Sequence, residues 1–363
     1  MGGRRSALED LVTPDFWGGK RVFITGHTGF KGAWLSFMLS RLGADVTGFA
    51  LPPNTEPSLF DLLNIQRRVS SRLGDVRDLF ILGEAMAAAK PEIVFHMAAQ
   101  ALVREGYAAP VVTFNTNVIG TVNALESART LPDLRALVVV TSDKCYFNDD
   151  RRSGYREEDR LGGDDPYSCS KACAELVTSA YRKSFFQGSA CAVATARAGN
   201  VIGGGDWSRD RLVPDVVRGL VSESPVRLRN PAATRPWQHV LEPLCGYLTL
   251  AERLYTAGAP FAQAWNFGPP AGESANVAEL VNAIFAAWNR DALWEADASP
   301  HPAESQDLAV DAAKARTGLD WVPRLPSAEA IDWTVEWYKT WHSGAPPESI
   351  TSQQIDRYLS YRS

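Results

Sequence analysis

Short apolar runs alternate with amphipathic stretches through the first part of the chain. Val22, Phe23 and Ile24 form a run without a polar member, the pattern of a strand buried on both faces. Gly26, Gly29 and Gly32 follow, and then Ala33, Leu35, Phe37, Met38, Leu39 and Leu42 recur at helical spacing. The alternation continues. Asp45–Ala50 reads as a second strand ended by Pro52 and Pro53, and Val69–Gly74 as a weaker third. Asp78 is placed to cap a helix running through Ala89. Ile93–His96 is the fourth strand, Ala136–Val140 the fifth and Cys191–Ala198 the sixth. Pro110 opens a helix that continues to Arg129, and Pro166 opens another that reaches Phe186. Strands and helices in this order predict a parallel sheet covered on both faces.

Gly203-Gly204-Gly205 breaks the pattern. Beyond it, Arg211–Ser222, Glu242–Tyr255 and Val277–Trp288 read as helices, Val226–Leu228 and Ala264–Phe267 as strands, and prolines crowd residues 323–346. The expectation is an α/β protein with a Rossmann-type doubly wound parallel sheet over residues 16–205, joined by later segments near 236–268. A smaller mixed α/β substrate lobe would come from 206–235 and 269–363. Residues 1–15 are polar and are expected to be flexible.

The bulk numbers narrow the function. A net charge of −5 without a basic block argues against nucleic acid as the main partner. No apolar run approaches the roughly 18 residues of a membrane span. The N-terminus has no signal-peptide core, so a cytoplasmic protein is expected. Cys169 and Cys173, four apart among five cysteines, do not have zinc-site spacing, and no metal is expected.

Strand, glycine turn and helix together make a candidate phosphate-binding unit spanning Gly26, His27, Thr28, Gly29, Phe30, Lys31 and Gly32. The spacing is Gly-x-x-Gly-x-x-Gly, and a turn that holds no ligand would look the same. Ala50-Leu51-Pro52-Pro53-Asn54 stands where such sites often carry an acidic residue for the ribose. Asp75, with Val76 beside it, either meets an adenine edge or makes a turn. Ala98, Ala99 and Gln100 leave the fourth strand with small side chains, suited to a flat cofactor or to tight packing. Ser142, Asp143 and Lys144 leave the fifth, as a reactive cluster or as a solvated exit. Tyr167 and Lys171 lie four apart on one helical face, where a cation favours the phenolate. Taken singly, each also fits an ordinary structural role.

In this order the motifs Gly26-x-x-Gly29-x-x-Gly32, Asn117-x-x-Gly120-Thr121, Tyr167-x-x-x-Lys171 and Arg197-x-x-Asn200 resemble those of the extended short-chain dehydrogenase/reductase family. Longer strings, among them His96-Met-Ala-Ala-Gln100, Thr141-Ser-Asp-Lys-Cys-Tyr146 and Arg235-Pro-Trp-Gln-His-Val240, look like its sugar-nucleotide 4,6-dehydratase branch. The resemblance implies NAD as cofactor and CDP-glucose as substrate. Hydride would leave carbon 4, water would leave carbons 5 and 6, and the hydride would return to carbon 6. It implies Tyr167 as the base at the carbon 4 hydroxyl, with Lys171 supporting it and Ser142 hydrogen-bonding the same oxygen. Asp143 would protonate the departing carbon 6 hydroxyl. Lys144, where thymidine-linked relatives carry Glu, would take the carbon 5 proton as the free amine. Asn117 joins the cofactor set. Gln100, Arg104, Arg197, Asn200, Arg235 and His301 form the substrate set, with arginine forks suited to phosphate. His27 and Lys31 intrude on the glycine turn and are expected to touch the pyrophosphate. The same resemblance implies a homodimer or dimer of dimers, pairing the helices at Pro110–Arg129 and Pro166–Phe186, and a place in deoxysugar supply for bacterial surface polysaccharide. A 4-epimerase or dehydrogenase would share Tyr167 and Lys171 without needing Asp143 and Lys144. A non-catalytic cofactor sensor would need neither pair.

Overall fold

The computed structural model describes residues 12–151, 153–270, 272–299, 301 and 307–361. Its centre is a seven-stranded sheet whose strands, numbered along the chain, are β1 (Arg21–Thr25), β2 (Asp45–Ala50), β3 (Ser70–Leu73), β4 (Ile93–His96), β5 (Ala136–Val140), β6 (Ala192–Ala198) and β7 (Ala264–Phe267). Their order is β7-β6-β5-β4-β1-β2-β3, and every pairing is parallel. From β1 the chain winds outward through β2 and β3. It then crosses to β4 on the other side of β1 and winds outward again. The reversal between β1 and β4 opens a crevice at the carboxyl ends of the strands, where open α/β sheets hold ligands.

Period-two alternation divides the core. Phe23, Val94, Leu137, Val139 and Val193 face one layer, with Leu82, Met86, Ala124 and Leu125 from the helices Leu79–Ala89 and Gly120–Ala128. Val22, Ile24, Phe95, Val138 and Ala194 face the other, with Trp34 and Phe37 of the helix Phe30–Arg41 and Leu244 and Leu248 of Leu241–Ala257. Asp78 accepts the N–H of Ile81 at 3.0 Å as the expected cap. The helix opened by Pro110 runs through Pro110–Phe114, a π-turn at Asn115–Ile119 and Gly120–Ala128.

Residues 1–11 lie outside the described part, but Val12 is buried. The Thr13 N–H and the Trp17 indole both donate to Oε1 of Glu252, at 3.0 and 2.7 Å. Two helices at the other end, Ser327–His342 and Pro347–Ser360, do not follow from the sequence pattern. Trp337 of the first presses on Gly204, where a Cβ would fall 1.9 Å from the indole. Trp34 Nε1 donates to the Gly204 carbonyl at 3.0 Å. Tyr358 of the second donates to buried Glu242 at 2.7 Å, and the Glu242 carboxyl also accepts the N–H groups of Arg324 and Leu325. Among the described residues, no helix is long and apolar enough to cross a membrane.

Candidate active site

A cleft of 980 Å³ lies along the carboxyl ends of the strands, and the glycine turn forms its floor. Gly26 has φ +80°, and a Cβ there would lie 2.8 Å from the Ala98 nitrogen. A Cβ on Gly32 would lie 2.0 Å from the Gly26 carbonyl oxygen. These two glycines are required by the protein's own packing. Gly29 is not: a Cβ there would meet only Gly26 O, at an ordinary 3.5 Å. Gly29 is the N-cap of Phe30–Arg41, and no side chain caps the first-turn N–H groups. An uncapped helix start, open to the cleft at a position with spare room, fits a dinucleotide pyrophosphate. Thr28 and Phe30 also line the cleft, with the Thr28 hydroxyl donating to Leu51 O at 2.8 Å.

His27 departs from expectation. Its ring is fully buried on the far side of the turn, with Nε2 2.7 Å from the Ser71 hydroxyl and an edge against Phe60. Burial pushes its pKa down to about 4, so it is a neutral core histidine. Lys31 does line the cleft, but its ammonium turns inward and donates to the Tyr247 hydroxyl at 3.0 Å. Burial first, then Arg211 and Lys171, pushes its pKa down to about 7, against the pull of Asp143.

Asp75, Val76, Ala98, Ala99 and Gln100 form the next stretch of wall. Asp75 is held by Arg77, whose Nε donates at 2.8 Å and keeps the carboxyl below its ordinary range. The Asn117 motif turns out to be scaffolding behind this wall. Asn117 is buried and outside the cleft lining, a correction to its place in the cofactor set. It acts on the site through the backbone of Gln100. A Cβ on Gly120 would lie 2.8 Å from Val76 Cγ2, so this glycine lets its helix close on Val76. The Thr121 hydroxyl donates to Asn117 O at 2.7 Å and meets His96 Nε2 at 3.2 Å. The Gln100 amide is itself occupied, donating to Thr113 at 2.8 Å and accepting the Leu102 N–H.

The reactive groups converge on the same cleft. Ser142, Asp143, Lys144, Tyr167 and Lys171 all line it. β5 ends one residue short of Thr141, and the next turn is a 3₁₀ turn (Asp143–Cys145) whose Lys144 N–H donates to the Ser142 hydroxyl at 3.2 Å. That hydroxyl donates to Asp143 Oδ1 at 3.0 Å. Asp143 is 2% exposed, and its Oδ2 has no partner among the described residues. Burial raises its pKa, with Lys144, Ser142 and Arg235 opposing. A buried carboxyl whose pKa is raised and whose second oxygen is free is placed where it could pass a proton to a ligand. Tyr167 and Lys171 come from the helix Pro166–Tyr181, capped by Asp165. Burial pushes the Tyr167 phenol up to about 12, although its Ser142 hydrogen bond and the Arg211 charge pull it down. Lys171 donates to Val140 O at 3.2 Å, and burial brings it down to about 8.

The substrate set divides. Asn200, Arg235 and His301 line the cleft, as does Arg104, which bridges its rim to Asp210 at 2.9 Å. His301 Nε2 is 3.0 Å from Asp297. Arg197 is corrected: it lies outside the cleft lining, 3% exposed, paired with Glu175 at 2.8 Å. β6 is buried along its whole length, so a charged side chain there needs an internal partner. Sequence reasoning missed Arg211 and Tyr247. Arg211 lines the cleft at the start of the helix read from the sequence; Tyr247 sits fully buried on a helix whose pattern gives no sign of it.

The sheet order, the glycine turn and the converging tyrosine and lysine define a Rossmann-type dinucleotide-binding protein. A family model described as GDP-mannose 4,6 dehydratase matches residues 23–334, and the chain belongs to that family. A CDP-glucose 4,6-dehydratase from Salmonella typhimurium (strain LT2) is 47% identical over 355 residues, covering 96% of this chain and 99% of the relative. A dTDP-glucose 4,6-dehydratase from Streptomyces venezuelae, solved with NAD bound, superposes with a TM-score of 0.76 at 22% identity, covering 90% of this chain and 99% of that one. An epimerase from Methanothermobacter thermautotrophicus gives 0.78 at 21% identity, covering 93% and 97%.

Proposed function

We propose that this protein dehydrates CDP-glucose to CDP-4-dehydro-6-deoxyglucose with NAD as a recycled cofactor. The observation that carries the reading is the convergence of Asp143, Lys144, Tyr167 and Lys171 on one cleft, in a chain 47% identical to a relative of that activity. An epimerase or simple dehydrogenase would have no use for an acid and an amine beside the phenol.

NAD, when bound, supplies a hydride acceptor at carbon 4, a hydride donor at carbon 6 and a positive ring charge that favours the phenolate. The glycine turn, Asp75, Val76 and Ala98–Gln100 would hold it, and Lys171 would bind its ribose. Tyr167 takes the proton from the carbon 4 hydroxyl, whose oxygen the Ser142 hydroxyl steadies. Lys144 removes the carbon 5 proton and gives one back to carbon 5 as carbon 6 is reduced. Asp143 gives its proton to the departing carbon 6 hydroxyl, which leaves as water. Arg235, Asn200, Arg104 and His301 hold the diphosphate and sugar from the outer wall. The division into a sheet lobe, with 236–268 interleaved, and a substrate lobe from 206–235 and 269–363 belongs to this reading, as does a cytoplasmic setting. So does a homodimer: Val111, Val112, Ile119 and Leu176 are exposed on helices that lie against one another.

The test is incubation with CDP-, dTDP-, GDP- and UDP-linked hexoses, followed by alkali-induced absorbance of a 4-keto product. The expected result is a signal with CDP-glucose well above the others. A 4-epimer with no ketone accumulation overturns the proposal.

A further inference from the structure

One helical turn beyond Lys171, on the same face, stands Glu175, which has no part in the chemistry above. Its carboxylate is 3% exposed, and both oxygens are engaged. Oε1 accepts the hydroxyl of Thr141, the residue immediately before Ser142, at 2.5 Å. Oε2 accepts the Thr195 hydroxyl and Arg197 Nη2, both at 2.8 Å and both from β6. One carboxylate thus ties the helix bearing Tyr167 and Lys171 to the exit of β5 and to β6. Arg197 is fixed in turn: Nη1 donates to the Tyr146 hydroxyl at 2.7 Å and to Glu157 O at 3.2 Å.

The groups whose charge acts with Lys171 come from several elements. Cys145 lies on the turn after β5, Lys31 on the glycine-turn helix and His96 on β4. The Cys145 thiol is pushed well up by burial and His96 well down, so neither carries charge near neutrality. Lys31 repels. Glu175 carries the negative charge: burial works against it, but Arg197 and the two hydroxyls outweigh burial and keep it ionised. Arg182 also feels this carboxylate.

We infer that Glu175, held in place by Arg197, is a positioning residue that keeps Lys171 cationic and fixes its helix against the Ser142–Lys144 turn. The inference rests on Lys171 working as an ammonium beside the phenol, as read above.

The test compares Glu175→Gln, Glu175→Asp and the double variant Glu175→Gln/Arg197→Met. The last removes both charges together and covers the case in which an unpaired Arg197 prevents the single variant from folding. Acetylation of Lys171 against pH, read by mass spectrometry without substrate, follows its charge directly. Half-labelling is expected to move at least about one pH unit lower in Glu175→Gln and in the same direction by less in the double variant, with Glu175→Asp returning most of it. The alkaline limb of kcat should move the same way, with KM changed less than about twofold. A labelling midpoint at the wild-type value, with only the melting temperature lowered, overturns the inference. Because labelling needs no turnover, it decides this point even if CDP-glucose is not converted.

Discussion

Asn117 grips Gln100 from both sides: its Oδ1 accepts the Gln100 N–H at 2.8 Å, and its Nδ2 donates to the Gln100 carbonyl at 2.9 Å. The same Nδ2 reaches the Ser170 hydroxyl at 2.8 Å, on the helix of Tyr167 and Lys171. One side chain behind the cleft thus ties the Gln100 backbone to the helix of Tyr167 and Lys171. Asn117→Ala leaves buried backbone groups without partners, each costing about 1–3 kcal/mol. A loss of stability in urea of about that size is expected, with kcat reduced about tenfold or more. Full stability in Asn117→Ala would show that the grip is incidental.

The glycine turn predicts a contrast. Gly32→Ala drives a Cβ into the Gly26 carbonyl and should lower the melting temperature by several degrees, on the order of 1–3 kcal/mol. Gly29→Val meets no such obstacle at its Cβ and should cost less stability than Gly32→Ala, about 1 kcal/mol for a poorer N-cap. It should nonetheless weaken NAD binding about tenfold or more, measured by calorimetry, because the branched side chain fills the space before the helix N-terminus. Equal NAD affinity in Gly29→Val would place the pyrophosphate elsewhere.

Lys144 is expected to act between ketone formation and loss of water. Lys144→Met should still form the ketone but take up no deuterium at carbon 5 from heavy water, read by mass spectrometry of the product pool. Ordinary uptake would remove Lys144 from the mechanism.

Acid stability should follow from His96. Thr121 gives its hydroxyl proton to Asn117, so His96 Nε2 donates to Thr121. Thr25 accepts two backbone N–H groups, and its hydroxyl donates to His96 Nδ1, at 2.8 Å. This neutral tautomer suits the site, and burial brings the ring's pKa from 6.5 to about 3. The folded pKa lies below the unfolded one, so the unfolded chain binds more protons between these values. The stabilisation is fully present above pH 6.5 and is lost as pH falls toward 3. His27 adds in the same direction. Urea midpoints measured from pH 7.5 downward should fall, and His96→Gln should make the fall shallower. An identical slope in that variant would locate the acid sensitivity elsewhere.

The sheet was legible because a buried parallel strand can be made of little else than apolar residues. Asp45–Ala50, Ile93–His96, Ala136–Val140 and Ala264–Phe267 have the bounds read from their pattern. The crevice was legible too, because glycine, Tyr167 and Lys171 follow the strands in the order that the winding requires. Direction was not. His27 leaves the turn toward Ser71 and Arg197 leaves β6 toward Glu175, and no local pattern says to which side a residue will turn. The two helices at the carboxyl end went unread where prolines crowd the chain. Pro326 is the N-cap of Ser327–His342 and Pro347 the first residue of Pro347–Ser360, so both start helices rather than forbid them.

Those late helices set an order of events in the making of the protein. Gly203 and Gly205 line the cleft, and the indole of Trp337 holds Gly204 between them. A ribosome can release all seven strands for pairing while this side of the crevice still lacks its backing. That backing forms only once the residues around Trp337 and Tyr358 have emerged and docked. A chain halted shortly before that point would carry the whole sheet and Tyr167 with one wall of the crevice left unsupported.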